Sequence, residues 1–490
     1  MSLSKYLMAI DGGTGSIRAI IFDLAGRQIA VEQREWTHLE DPRFPGSMDF
    51  DVNRNFQLTV ECIRGAIDRA GIQADEIHAL ATTSMREGFV LYDRNNREIW
   101  ACANVDARAG QEVSTLKSIS PGIEEQIYRV SGQTFALGAL PRLLWVKNNL
   151  PDVYEQAAAI TMLNDWIVFR LTGELSVEPS NASTTGIFNL EQRNWDLNIV
   201  RSCGLRDDLF PRVYESGSVV GKISAQAAES TGLSTACLVI AGGGDAQLGS
   251  VGVGAVSPGQ AALFGGSFWQ LEYNTTHPVT DPACRMRVNC HAVPGMWQYE
   301  LIAFFPGLVM RWFRNAFCQA ERMMEQQSGV DAYYLLDKQA ERVPPGSHGM
   351  LCTFSDAMNY IAWKHAAPSF INFAIDDRFD RNVFYRAILE NAALVALGHK
   401  KMIEAFTGDK ISQLVFASGA SNSKLWSSIV ADTMGIPVSV PVIKEATALG
   451  TAILAGVGSG IYGSVQEASQ SLCKIEKTYE PNLKHHQCYT

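Results

Sequence analysis

The sequence predicts an α/β protein of more than one domain. Apolar, strand-like runs alternate with helical stretches. A strand–glycine turn–strand pattern occurs twice, and 490 residues are too many for one hydrophobic core.

The first element, "YLMAIDGGTGSIRAIIFD", reads as an apolar strand, a tight glycine turn and a second apolar strand. Helical periodicity covers residues 53–70, 111–118, 141–149 and 163–171, and "IHALATTS" reads as a buried strand with a polar tip. The second half begins again in the same style. "LVIAGGGDAQLGSVG" gives a strand ending at Ala241, a bare glycine turn and a small-residue helix, and "AALFGGSFWQLEY" repeats the hairpin plan. "ENAALVALGHKKMIEAF" is an amphipathic helix, "QLVFASGAS" a strand entering a glycine turn, and "KEATALGTAILAGVGSGIY" a small-residue helix. The repeated hairpin predicts one phosphate-cradling turn per domain, with a boundary near residues 246–258.

Net charge is −10, which argues against nucleic acid or an anionic membrane as the main partner. Ten scattered cysteines form no C-x-x-C pair, so reduced thiols are expected rather than zinc or a disulfide framework. The start has no basic segment followed by a long apolar one, and no run approaches ~18 apolar residues. The expectation is a soluble cytoplasmic protein. The end, "HHQCYT", offers no clear terminal cap and reads as a possible shortening.

The first glycine turn fits neither common phosphate motif. A Walker A loop needs a lysine that "GGTGSIR" lacks, and a dinucleotide fingerprint needs a third glycine where Arg18 stands. What remains is a β-hairpin whose amides and hydroxyls, from Gly13, Thr14, Gly15 and Ser16, wrap a phosphate tail. Asp11 would then hold magnesium, commonly through water, and Arg18 would neutralise developing charge. Asp245, after Gly242, Gly243 and Gly244, suits the carboxylate that takes a proton in phosphoryl transfer, the glycines clearing room for the phosphoryl group. The alternative is a helix-capping Asp in a flexible loop. Arg86 and Glu87 follow a buried strand and could bracket a polyol, or form an ordinary ion pair. Asp106 and Arg108 pose the same choice.

These blocks resemble the FGGY family of carbohydrate kinases. The specific segments are "AIDGGTGSIRAIIFD", "DWIVFRLTGELSVEPSNASTTGIFNL" and "FASGASNSKLWSSIVADTMGIPV". The resemblance implies two actin-like (ribonuclease H-like) domains with mixed central sheets, 1–248 and 249–490, hinged around an ATP and substrate cleft. It implies ATP and Mg2+ as cofactors and Asp245 as the catalytic base. It places Asp11 and the turn Gly13–Thr14–Gly15–Ser16 with Arg18 at the phosphate and magnesium. Met85, Arg86, Glu87, Asp106, Gln247 and Trp269 are the expected acceptor residues. Gly265, Gly266, Ser267, Gly307, Arg311, Gly419, Ala420 and Ser423 are those expected at the nucleotide.

Further blocks, "SMREGFVLYD", "CANVDARA", "FGGSFWQ", "GLVMRWFRNAFC" and "HAAPSFIN", resemble one branch of that family, and this resemblance implies linear 4,5-dihydroxypentane-2,3-dione as the acceptor, phosphorylated at C5. A pentulose is the enzymatic alternative, and a nucleotide-dependent switch the non-enzymatic one. A phosphocarrier such as HPr is implied as a regulatory partner. Two departures stand out. Gly266 replaces a family threonine, moving the hydroxyl to Ser267, and Gly138 stands where glycerol kinases carry a tyrosine. Trp269 either supplies some of that pocket wall or is a core residue.

Overall fold

The computed structural model describes residues 5–136, 138–353, 369–443 and 445–490. "HAAPSFIN" up to residue 368, and Lys444, lie outside the described residues. The chain forms two compact units. One is Met1–Val256 with Thr275–Gln298 and Glu445–Leu472; the other is Ser257–Asn274 with Tyr299–Lys444 and Cys473–Thr490.

The first unit is built on β1 (Tyr6–Gly12), β2 (Ser16–Asp23), β3 (Gln28–Glu35), β4 (Ile77–Ser84), β5 (Val219–Lys222) and β6 (Leu238–Gly244), in the order β5-β6-β4-β1-β2-β3. β1 runs antiparallel to β2 and parallel to β4, and β4 is parallel to β6. Both β1 and β4 are near-continuous apolar runs because helices or loops cover both faces of a central strand. The helix Val52–Ala70 buries Leu58, Cys62, Ile63 and Ala66 on one face. Asp51 caps it by accepting from the Asn53 and Arg54 amides, and Gly71, at φ 65°, ends it in the left-handed conformation a Cβ resists.

The second unit repeats the plan. β7 (Ala261–Gly265), β8 (Trp269–Thr275), β9 (Trp297–Ala303), β10 (Leu414–Ala417), β11 (Val438–Pro441) and β12 (Ile475–Tyr479) run in the order β9-β8-β7-β10-β11-β12. β7 is antiparallel to β8 and parallel to β10, as β1 is to β2 and β4. The two hairpins singled out by sequence therefore hold the same position in two sheets of like order. The fold is two-domain, mixed α/β with mixed sheets.

Small residues in two helices serve close contact. A Cβ on Gly252 would stand 1.8 Å from the Ala446 carbonyl oxygen, and one on Gly450 would stand 1.9 Å from that of Leu248. The helices Asp245–Gly252 and Ala446–Gly458 thus touch backbone to backbone, which fixes the helix that starts at Asp245. All ten cysteines are free, and no helix among the described residues is long and apolar enough to cross a membrane.

Candidate active site

β4 and β6 are parallel neighbours, with Gly244 in register with Ser84. Their tips therefore deliver Asp245 beside Met85, Arg86 and Glu87. The Arg86 Nε lies 3.3 Å from Asp245 Oδ1, which also accepts from the Ala246 amide at 2.8 Å. Burial, against the opposing pull of Arg86, pushes the Asp245 carboxyl up to about 6; Glu87 and Asp11 add to the rise. Water reaches 44% of its side-chain surface and offsets part of that burial, leaving the upward direction standing.

The glycines before Asp245 differ from the sequence expectation. They are strand residues, not a turn, and β6 continues to Gly244. Nor is the space beside them empty. A Cβ on Gly242 would stand 1.7 Å from the Thr82 carbonyl oxygen, and one on Gly243 2.6 Å from Ser180 Oγ. One on Gly244 would stand 2.7 Å from Gln247 Oε1 and 2.9 Å from Arg86 Cδ. The run is bare because its own protein approaches it: β4 from one side, Ser180 and Arg86 from others. Ser180 Oγ accepts the Gly244 amide at 2.9 Å, tying down the peptide that precedes the acid.

Glu87 has φ 65°, a left-handed conformation rare outside glycine and found at functional sites. Arg142 holds its carbonyl at 2.7 Å while also donating to the carbonyls of Asp106 and Asn104. Arg287 donates to Glu87 Oε1 at 2.8 Å. Gln247 is fully buried beside Gly244, and neither atom of its side-chain amide has a hydrogen-bond partner among the described residues. A buried amide left unmatched is costly unless a ligand completes it.

Other expected acceptor residues are placed differently. The Met85 side chain sits in the hydrophobic core, while its amide donates to the Gly12 carbonyl at 2.8 Å. Asp106 accepts from the Met48 amide at 2.7 Å and from Arg108 Nε at 2.8 Å; Arg108 also pairs with Asp49, so the cluster braces its own loop. Trp269 belongs to the second unit's core, with ring centroids 5.2 Å from Phe416 and 4.8 Å from Trp426. Gly138 precedes the helix Ala139–Asn149, and a Cβ there would stand 2.8 Å from the Thr185 carbonyl oxygen, so a larger side chain is excluded.

In the β1–β2 turn the carbonyls are already engaged. Trp36 donates to Gly13 from its indole at 2.9 Å and to Gly15 from its amide at 3.2 Å, and His38 bonds the Thr14 carbonyl at 2.7 Å. An anion site needs amides and hydroxyls rather than carbonyls, and this tethering takes the carbonyls out of competition. Arg18 bridges Asp11 and Glu445, and burial raises the Asp11 carboxyl despite that guanidinium. Among the described residues no cluster of three His, Cys, Asp or Glu could hold a metal.

Within the second unit, Gly265, Gly266, Ser267, Gly307, Arg311, Gly419, Ala420 and Ser423 all line one cavity of roughly 440 Å³. That is the size of an ordinary small-molecule pocket. Two of its lining residues meet closely: a Cβ on Gly307 would stand 2.1 Å from the Gly266 carbonyl oxygen. Ser423 caps the helix Lys424–Met434 by accepting the Trp426 amide at 2.9 Å. Asp337, also lining the cavity, is pushed up to about 6 by burial, with Tyr385 donating to it at 3.0 Å.

Sequence reasoning missed Arg287, Gln133, Ser180 and Glu445. Arg287 sat in "CRMRVNC" with nothing to set it apart from Arg285, and Ser180 sat in "SNAS" with no role attached.

Comparison with known proteins agrees with this architecture. The model of the FGGY family of carbohydrate kinases matches residues 6–252 for its N-terminal domain and 266–459 for its C-terminal domain. The chain is 51% identical over 486 residues to the "Autoinducer-2 kinase" of Yersinia enterocolitica serotype O:8 / biotype 1B, covering 99% of this chain and 92% of that protein. It is 52% identical over 492 residues to the "Autoinducer-2 kinase" of Escherichia coli strain K12, covering 100% and 93%. Among solved structures, the xylulose kinase from Rhodospirillum rubrum superposes with a TM-score of 0.85 at 23% identity, covering 99% of this chain and 96% of that one. With both family models matched in order and two relatives alike over nearly their whole length, the chain belongs to the FGGY family of carbohydrate kinases.

Proposed function

We propose that the protein is an ATP-dependent kinase for autoinducer-2, acting on the linear form, 4,5-dihydroxypentane-2,3-dione, and phosphorylating its C5 hydroxyl. The observation that carries the chemistry is the Asp245 carboxylate, raised in pKa at a strand tip and set 3.3 Å from Arg86 beside Glu87. The acceptor is taken from the two relatives named for that activity.

Arg86 donates to, and Glu87 accepts from, oxygens of the acceptor, leaving its primary hydroxyl at Asp245. Asp245 takes the hydroxyl proton as the oxygen bonds to the γ-phosphorus and the bond to the ADP oxygen breaks; the proton then passes to solvent. A base with a pKa near 6 is still ionised at neutral pH, yet stronger than an ordinary carboxylate. Gln247, buried and unmatched, completes its hydrogen bonds with the acceptor.

The cavity lined by Gly265, Gly266, Ser267, Gly307, Arg311, Gly419, Ala420 and Ser423 takes the nucleotide. Asp11, Gly13, Thr14, Gly15, Ser16 and Arg18 are the residues we put forward for phosphate and magnesium, on the family resemblance. One carboxylate beside a turn of amides and hydroxyls fits a magnesium ion held chiefly by phosphate and water, with Asp11 as an outer partner. When bound, that ion neutralises charge on the phosphates. Asp106 and Met85 support the site through loop and core. The acidic chain works in the cytoplasm, and a phosphocarrier such as HPr is the regulatory partner we put forward.

The test is ADP release with magnesium-ATP, comparing dihydroxypentanedione with xylulose, ribulose, glycerol and no acceptor. Strong stimulation by dihydroxypentanedione alone supports the proposal. A pentulose giving the higher kcat/KM overturns the acceptor, and no stimulation by any of them overturns the kinase reading.

A further inference from the structure

We propose that Arg287 positions Glu87 for the acceptor, so that a side chain from the second half of the sequence sets acceptor affinity. The inference rests on the reading that Glu87 grips an acceptor hydroxyl.

Arg287 opens the strand Arg287–Cys290 within Thr275–Gln298. That segment belongs to the first unit although it falls inside the stretch matched by the C-terminal family model. From there Arg287 Nη2 donates to Glu87 Oε1 at 2.8 Å, and its Nε donates to Gln133 Oε1 at 2.7 Å. Gln133 is itself fixed, donating through Nε2 to the Val288 carbonyl and to Asn289 Oδ1, both at 2.9 Å. The amide that orients the guanidinium is thus locked onto the guanidinium's own strand. Relative exposures of 3% for Arg287, 2% for Gln133 and 8% for Glu87 keep water from competing for these bonds.

The Glu87 backbone is held independently, by Arg142 on its carbonyl and by its left-handed φ of 65°. Backbone and carboxylate are therefore fixed by different arginines. With Oε1 committed to Arg287, no hydrogen bond among the described residues reaches Oε2. That oxygen is the one offered to a donating hydroxyl on a short, oxygen-rich carbon chain. A guanidinium presents fixed N–H directions that an ammonium cannot copy, so Lys is a partial substitute.

This division of labour also explains why adjacent opposite charges do not pair with each other. Arg86 turns to Asp245, and Glu87 turns to Arg287. A guanidinium serving only stability would hold the fold and leave acceptor affinity alone. A positioning role moves acceptor affinity and leaves nucleotide affinity alone.

The experiment is steady-state kinetics of Arg287→Met, Arg287→Lys, Glu87→Gln and the double variant E87Q/R287M. Dihydroxypentanedione is varied at saturating magnesium-ATP, and the KM for ATP is measured alongside. We expect R287M to raise the acceptor KM at least tenfold and keep the ATP KM within twofold, with R287K intermediate. On the E87Q background, R287M should change the acceptor KM less than twofold, because its effect passes through Glu87. Where R287M does not fold, R287K and the double variant, which removes both charges together, decide the matter. An R287K acceptor KM equal to wild type, or an R287M effect undiminished on the E87Q background, overturns the proposal alone. An unchanged acceptor KM in E87Q overturns the assignment of Glu87, and the proposal with it.

Discussion

The Arg86 Nε stands 3.3 Å from Asp245 Oδ1, and a Cβ on the neighbouring Gly244 would stand 2.9 Å from Arg86 Cδ. The pairing joins the tips of two adjacent parallel strands. It places a buried guanidinium against the acid proposed as the base.

The first consequence is a pH profile. The Asp245 carboxyl titrates at about 6, raised mainly by burial. We expect kcat/KM for the acceptor to fall about tenfold per pH unit below that value and to level off above it. Stability follows the opposite sign. With the folded pKa above the ordinary 3.8, folding binds extra proton at Asp245 between about pH 4 and 6, so its contribution declines as pH rises through that window. Asp245→Asn should therefore melt higher than wild type at pH 8, with the gap closing near pH 4, as read by calorimetry. A loss of rate centred near the ordinary carboxylate value would contradict the profile.

Glycines 242 and 244 should respond differently to alanine. At Gly242 the obstacle is the Thr82 carbonyl, 1.7 Å from the added Cβ, and backbone in a central sheet cannot step aside. Gly242→Ala is expected to cost at least about 3 kcal/mol, in the range of severe core defects, and to be seen as insoluble or early-melting protein. At Gly244 the obstacles are side-chain atoms of Gln247 and Arg86 rather than backbone. Gly244→Ala should fold, melt within a few degrees of wild type, and lose roughly 10- to 100-fold in kcat through misplacement.

The cavity proposed for the nucleotide gives a separable test. A Cβ on Gly307 would stand 2.1 Å from the Gly266 carbonyl oxygen and force apart the two arms that line the cavity. Gly307→Ala is expected to raise the KM for ATP at least tenfold and leave the acceptor KM within about threefold. The reverse split would contradict the assignment of the cavity.

Removal of metal should separate chemistry from folding. In the proposed reaction magnesium enters with the nucleotide, with Asp11 as an outer partner. Chelation is expected to abolish ADP release and leave the melting temperature of the nucleotide-free protein unchanged. A large drop in that temperature would point to a structural ion instead.

Much of this arrangement was legible because it is local. The hairpin turns, the strand before Asp245 and the pair Arg86–Glu87 each show within a dozen residues. The cavity residues from Gly265 to Ser423 came through resemblance, and the structure gathers them around one space. Trp269 and Asp106 were less legible, since residue type alone does not tell a pocket wall from a core ring or a loop brace. The glycine run was read as cleared space, when the Thr82 carbonyl of the next strand is what forbids a side chain there. Arg287 was invisible for a similar reason: it meets Glu87 across 200 residues of chain. Only the return of a late segment to the first unit brings them together.

The most direct measurement is acceptor-dependent ADP release by Asp245→Asn, with ATP affinity determined in the same preparation. The account predicts a loss of at least about 1,000-fold in kcat with dihydroxypentanedione, and an ATP dissociation constant within threefold of wild type. If Asp245→Asn keeps most of the acceptor-dependent rate, Asp245 is not the base and the proposed chemistry is wrong.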